Sequence, residues 1–237
     1  MFISEMTRKE IKEYIGKSGT LILPVGTCEQ HGFHLPLNTD TVCVEYFAKR
    51  LAKATGALIA PTLNYGVNLP VDKSFAGTAG ITSELLRGQI LELLNWWRHQ
   101  GFSAFVILTY HGDPFHEDAL SELGPDVLSV RTYDIQYDDV LTMQDSVEHA
   151  CEAETSMMMY LCPESVKIEC APEEELELPN HDDYLYHRNK DLPEGYIDRM
   201  SGASGYPKMA TPEKGKILAE RSVTMMISAY VRFCAQK

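Results

Sequence analysis

TLILPVGTCEQHGFHLPLNTDT, residues 20–41, carries the reading of the fold. Its first six residues are a short apolar run of the length and type that suits a strand buried on both faces. A polar stretch follows, and Asp40 then opens a segment, 40–54, that reads as a helix. Strand, polar loop, helix is the order in which an open α/β sheet presents ligand-binding groups beyond the carboxyl end of a strand. The same alternation recurs along the chain. ALIA (57–60), SAFVILTY (103–110) and VLSVRTY (127–133) read as further buried strands. A short helix at 7–16 opens with Thr7 and, three residues on, Glu10, the pattern of a capping box. Leu85, Leu86, Ile90, Leu93, Leu94 and Trp97 mark an amphipathic helix that begins at Ser83 and is stopped by Gly101. Two more helices are predicted at 152–161 and at 212–233, the last entered at Pro212. Buried strands separated by helices imply an α/β fold in three layers, α/β/α, with a mostly parallel central sheet.

Three polar clusters, at 26–40, 61–80 and 110–118, lie directly behind predicted strands. Residues 171–205, rich in Pro, Gly, Asn, Asp and Tyr, read as one long irregular segment of the kind that serves as a lid or partner contact. With 237 residues the chain is long enough for one sizeable core, and a single domain over 1–237 is expected. The net charge of −13, from 21 basic and 34 acidic residues, argues against a nucleic-acid or anionic-membrane partner, since both need basic patches. The local acidic run Glu173, Glu174, Glu175 and Glu177 reads as a solvated loop. No basic-then-apolar leader opens the sequence, and no apolar run approaches the roughly 18 residues of a membrane span. Six cysteines without a CxxC pair read as reduced, mostly buried thiols, so a cytoplasmic location is expected.

The chemistry concentrates on Glu29, His31, Asp40 and His111. Glu29 and His31 are two apart in an extended stretch and can point to one side. Asp40 stands at a helix start, where the helix dipole favours a carboxylate. His111 closes the third strand inside TYHGD. Carboxylates mixed with imidazoles suit Zn, Mn or Fe(II), and several carboxylates are best tolerated together around cations. Each residue also has a plain structural reading: Asp40 as a helix cap, either histidine as a packing residue.

EQHGFHLPLNTDT (29–41) resembles the creatininase (creatinine amidohydrolase) family. FAGTAGITSELL (75–86), HACEAETSMMMYLCPESV (149–166) and GYPKMATPEKGKIL (205–218) resemble it in the same order, so the likeness runs from about residue 20 to about 220. The resemblance implies an α/β/α fold, two divalent metal ions per chain, and assembly into homo-oligomers, commonly hexamers. By that likeness Glu29 and His111 hold one metal, His31 holds the other, and Asp40 bridges them. A further carboxylate ligand is implied, with two candidates. Asp113 matches a position where creatininase has Glu, one methylene longer. Glu154 matches a Glu shared more broadly, and is favoured; its structural alternative is a buried carboxylate capping nearby backbone. The stretch TYHGDPFHEDA (109–119) departs from the Asn-Gly-His-Gly-Gly-Asn of many members, so the metals are expected to be kept and the substrate pocket to differ.

The expected reaction is attack of a metal-activated water on a carbonyl of a small amide, cyclic amides included, with cleavage of the C–N bond. An amine leaves only when protonated, and His149 is the candidate acid; His116 and Glu117 are weaker ones, and Asp113 a catalytic or ligand-orienting group. Tyr110, Tyr65 and Phe115 are candidates to wall the pocket, and FAGTAG (75–80) to offer backbone donors. HDDYLYH (181–187) is either a surface loop, the better reading, or a contact with a neighbouring subunit. Two alternatives stand beside the amidohydrolase: ring-opening hydrolysis of a cyclic diketo polyol, and a non-catalytic oligomeric binding protein on the same fold.

Overall fold

A computed structural model describes residues 1–172 and 200–236. The acidic run at 173–177, the HDDYLYH stretch and most of the irregular segment lie outside the described residues. Four parallel strands form one sheet: β1 (Thr20–Val25), β2 (Leu58–Ile59), β3 (Ala104–Thr109) and β4 (Val127–Arg131), in the order β2-β1-β3-β4. Thr20 pairs with Ala104 and Val25 with Thr109, so the carboxyl ends of β1 and β3 finish level. Every residue of β1 and β3 is buried, which is why both read as uninterrupted apolar runs.

Alternation along the strands divides the core. Ile22, Val106 and Leu108 face one apolar cluster with Phe47, Leu51, Met158, Leu218 and Met226. These partners come from α2 (Thr39–Thr55), α5 (Glu152–Leu161) and α6 (Pro212–Ala235). Leu21, Leu23, Phe105 and Ile107 face the opposite cluster with Leu86, Ile90 and Leu94 of α3 (Ser83–Gln100), alongside α1 (Arg8–Ile15) and α4 (Pro114–Ala119). Three layers result, α/β/α, as the sequence pattern predicts.

Local chemistry sets the boundaries. Thr7 and Glu10 close the capping box of α1 from both sides. Thr82 caps α3, and Gly101 at φ 104 ends it in the left-handed conformation that glycine adopts without a Cβ clash. Thr211 caps α6, with Pro212 in its first turn. The second strand is shorter than its apolar run suggests: only Leu58 and Ile59 are in strand register, and beyond them the chain keeps single bonds to β1, from Ala60 N–H to the Ile22 carbonyl and from Leu63 N–H to the Pro24 carbonyl. Among the described residues no helix is long and apolar enough to cross a membrane.

Candidate metal centre

Four elements deliver the polar groups to the carboxyl end of the sheet. The loop after β1 carries Glu29 and His31. The first turn of α2 carries Asp40, the residue after β3 and Tyr110 is His111, and the first turn of α5 carries Glu154. All five are buried. His111 Nδ1 lies 3.0 Å from Glu29 Oε2 and 3.3 Å from Asp40 Oδ2. His31 Nε2 lies 3.6 Å from Asp40 Oδ1 and 3.7 Å from Glu154 Oε2. Glu29, Asp40 and His111 thus form one triad and His31, Asp40 and Glu154 a second, either able to hold a metal ion; Glu29 and His31 also group with His149. Asp40 belongs to both, one oxygen toward each.

The far nitrogens of the two imidazoles decide what these contacts mean. His111 Nε2 is 2.9 Å from the Val67 carbonyl and His31 Nδ1 is 3.1 Å from the Glu29 carbonyl. A carbonyl only accepts, so each of these nitrogens carries the hydrogen and donates it. The nitrogens facing the carboxylates are then lone pairs, unless a second proton is bound. Glu29 Oε2 and Asp40 Oδ1 are buried and accept no hydrogen bond. Lone pairs against orphaned carboxylate oxygens, out of water, demand positive charge between them. Protons supply it in the metal-free chain. Burial opposes the charge on His31, yet Asp40 and Glu154 outweigh it and raise the imidazole to about 10. Burial likewise works against Glu29 and Asp40, and the histidines outweigh it, holding both carboxyls below their ordinary range. Divalent cations supply the same charge, and an imidazole whose other N–H is tied to a backbone carbonyl is the usual ligand arrangement. The donor set fits a metal.

Glu154 serves two purposes. Its Oε2 accepts from the Ala150 N–H at 2.6 Å while facing His31, so the capping and ligand roles coincide in one atom. Burial pushes its carboxyl up to about 7. Ala150 sits at φ 51, a left-handed conformation rare for alanine, and this bond holds it there. His149, next in the chain, turns its Nδ1 to 3.9 Å from Glu29 Oε1. Its Nε2 lies 2.6 Å from the Gln30 carbonyl, to which it donates. Burial lowers the pKa of His149, so it stands neutral with Nδ1 as an acceptor over the centre. Gln30, absent from the sequence reading, is held by Gly32 N–H and the Gly202 carbonyl. A Cβ at Gly202, φ 80, would strike the Gln30 amide.

Asp113 is not in either triad. Its Oδ1 caps α4, accepting from Phe115 N–H at 2.7 Å and His116 N–H at 3.0 Å, while Oδ2 is buried without a partner. His116 is a core residue, bonded to the Val67 N–H and to Thr109, and Glu117 pairs with Arg131; neither reaches the centre. Cys28 and Cys151 also stay outside the triads. A cavity of about 230 Å³ opens over the metal-facing groups, walled by Tyr110, Tyr133, Asp113 and His149 among others. Tyr65 and Phe115 are exposed and do not line it, and no residue of 75–80 does. That stretch instead braces the loop after β1: Ala79 N–H donates to the Cys28 carbonyl and Thr78 accepts from Gln30 N–H. Asp72, which sequence reasoning passed over, also lines the cavity. It sits in a 3-10 turn, Pro70–Ser74, inside the polar cluster behind β2. That placement was the available signal.

Comparison with known proteins follows the same outline. The family profile for creatininase, described as creatinine amidohydrolase, matches residues 4–230. The 3-dehydro-scyllo-inosose hydrolase of Thermotoga maritima is 26% identical over 212 residues, 84% of this chain and 64% of that protein, so this chain spans just under two thirds of its length. The creatinine amidohydrolase of Pseudomonas putida is 27% identical over 194 residues, 71% of this chain and 75% of that protein. A manganese form of creatininase superposes with a TM-score of 0.77 at 25% identity, covering 96% of both chains. The match over nearly its whole length places this chain in the creatininase family.

Proposed function

We propose that the protein is a metal-dependent hydrolase that cleaves the C–N bond of a small amide, cyclic amides included. The observation that carries this is the pair of triads sharing Asp40, with both imidazole lone pairs turned inward by backbone carbonyls. Glu29, Asp40 and His111 hold one divalent ion in this reading, and His31, Asp40 and Glu154 a second, drawn from Zn, Mn or Fe. When bound, such ions bring the pKa of water from ~15.7 toward about 7 and polarise a carbonyl.

The chain's own residues do the rest. Because His149 Nε2–H is committed to the Gln30 carbonyl, Nδ1 starts without a proton. His149 therefore acts first as a base, taking the proton of the attacking water at Nδ1, and then as the acid that gives it to the departing nitrogen. Gln30 and Gly202 fix the ring while that proton moves. Asp113, spent on α4 through Oδ1, orients the segment behind His111 and offers only Oδ2 to the cavity.

The reading extends to a single domain over 1–237, supported by two apolar clusters on one sheet, and to a homo-oligomer, hexameric by family likeness. A cytoplasmic location accords with six cysteines present as thiols. Elemental analysis of gently purified protein beside Glu29→Gln tests the centre. About two metals per chain, reduced in the variant, is the expected result. No metal, and no recovery on adding it back, would leave a binding protein on this fold. Ring-opening hydrolysis of a cyclic polyol ketone is the second reading, favoured by the Thermotoga relative and by the acidic cavity wall. Turnover of lactams against cyclic ketones separates the two.

A further inference from the structure

Asp72 is 1% exposed, and neither of its carboxylate oxygens has a hydrogen-bond partner. Its backbone is fully occupied in the 3-10 turn: its N–H donates to the Leu69 carbonyl and its carbonyl accepts from Phe75 N–H. Within the turn the side chain meets only the Leu69 backbone, too weakly to offset its burial, and it lines the cavity above the metal centre. Asp113 Oδ2, equally buried and equally unpartnered, lines the same cavity. Among the described residues around this cavity there is no lysine or arginine. A buried carboxylate without a donor costs stability, and such a group persists where a ligand supplies the missing donors.

We propose that Asp72, seconded by Asp113 Oδ2, is the substrate-reading group of this cavity and selects small neutral or cationic molecules that present hydrogen-bond donors beside the reacting carbonyl. This rests on the hydrolase reading only for the word substrate. The charge balance points the same way. Six carboxyl groups line the cavity, Glu29, Asp40, Asp72, Asp113, Glu148 and Glu154; burial raises Asp72 and Glu154 to about 7, so above that pH even two divalent ions leave it two negative charges. An anionic ligand has no basic side chain there to meet. Ammonium, amidinium or hydroxyl hydrogens meet up to three free oxygens. Asp72 is thus a specificity residue that touches the ligand and not the metals.

The test is binding, measured by calorimetry on metal-loaded protein, so it stands apart from whether any amide is cleaved. Three lactams of like size serve as probes: 2-pyrrolidinone, the cationic 3-amino-2-pyrrolidinone and the anionic pyroglutamate. In the wild type the cationic lactam is expected to bind at least about tenfold more tightly than pyroglutamate, the effect of one charge-assisted hydrogen bond. In Asp72→Asn that ratio falls by about tenfold or more, metal content is unchanged, and Tm is equal or higher, because an unpaired buried charge has gone. Asp72→Ala gives the same loss of preference. Three results would overturn the proposal: a wild type that does not favour the cation, an unchanged ratio in both variants, or loss of metal in Asp72→Asn. A lower Tm with an unchanged ratio would make Asp72 a structural residue. Failure of the hydrolase reading alone would show as intact cationic preference with no turnover.

Discussion

Heating the metal-loaded and the metal-stripped protein at a series of pH values tests the centre through the protons that metals must displace. In the stripped chain His31, despite its burial, is held protonated by Asp40 and Glu154 up to about 10. Glu154, raised by burial, stays protonated until about 7. His111, despite its burial, is likewise held well above its ordinary range by Glu29 and Asp40, and all three protons leave before cations bind. Each one makes binding tenfold tighter per pH unit, about 1.4 kcal/mol, while the stripped site still holds it. With free metal far above Kd, that gain passes into the folding equilibrium. At about pH 8 the protons of His31 and His111 make the gap in stability grow by about 2.8 kcal/mol per unit; below about pH 6, Glu154 adds half as much again. A chain of this size gains roughly 2–4 °C of Tm per kcal/mol. The gap between the two Tm values therefore widens by about 6–11 °C per pH unit near pH 8 and about half as much again near pH 6.

The absolute curves carry opposing signs, which is why the gap is the quantity to read. Glu154 is raised from 4.5 and His31 from 6.5, so the stability held by their protonated forms is lost as pH rises through about 7 and about 10. His34 and His116, lowered by burial to about 4 and about 3, lose stability in the other direction, as pH falls below the ordinary 6.5. They belong to neither triad and cancel between loaded and stripped protein. In Glu154→Gln the steeper limb below pH 6 should disappear. A gap that stays constant from about pH 5.5 to about pH 9 would refute the protonated, metal-facing arrangement altogether.

Asp40→Asn removes the carboxylate shared by both triads, so metal content should fall below one per chain by elemental analysis, and kcat/KM by at least about 10³-fold. His149→Ala should lower kcat by about 10²–10⁴-fold with metal content unchanged; lost metal would instead make His149 a ligand. Thr27 donates its hydroxyl hydrogen to Asp40 Oδ2, and Thr27→Val should weaken metal affinity about 10–100-fold in a chelator competition while leaving the fold intact. In Gly215→Ala the new Cβ would meet the Ser156 backbone carbonyl where α6 crosses α5. The cost should reach or exceed about 3 kcal/mol in urea unfolding, because a main-chain atom cannot step aside.

The elements were legible because their signals are local. Thr7 with Glu10, Thr82 before α3 and Gly101 after it act within one turn of chain, and the buried runs of β1 and β3 need only their own side chains to announce themselves. Strand β2 shows where that logic stops: ALIA is as apolar as its neighbours, but only Leu58 and Ile59 fall into strand register. In the site, Glu29, His31, Asp40 and His111 are visible from the sequence because they follow strands. Their assembly into two triads is not, since it depends on Asp40 turning one oxygen to each imidazole. Glu154 illustrates the same limit. Cap and ligand looked like alternatives, and one carboxylate oxygen does both. Asp113 caps α4 because Pro114 and Phe115 start a helix directly behind His111, where a strand-end loop would leave its carboxylate free. Gln30 lacked any local signal and Asp72 had only its place behind β2, because what distinguishes them is a contact across more than a hundred residues in one case and the want of a well-formed hydrogen bond in the other.

The two sets of residues also sit on different kinds of structure, and this bears on how such a scaffold changes substrate. The metal-facing groups hang from β1, β3, α2 and α5, whose inner faces form the core; shifting any of them disturbs packing that has no slack. Asp72 and Asp113 hang from a five-residue 3-10 turn and the first cap of a six-residue helix. The Asp72 carboxyl is no part of either apolar cluster, so exchanging it costs little stability while altering what the cavity accepts. A construction of this kind predicts an asymmetry between the sites. Substitutions at Asp72 should redistribute affinity among ligands at constant metal content and nearly constant Tm, those at Asp113 should do so with about 0.5–2 kcal/mol lost from the α4 cap, whereas substitutions at Asp40 or Glu154 should lower metal content, Tm and every activity together. Were Asp72→Asn to lower metal content along with ligand affinity, reading and reaction would belong to one inseparable cluster, and a new substrate would require rebuilding the centre itself.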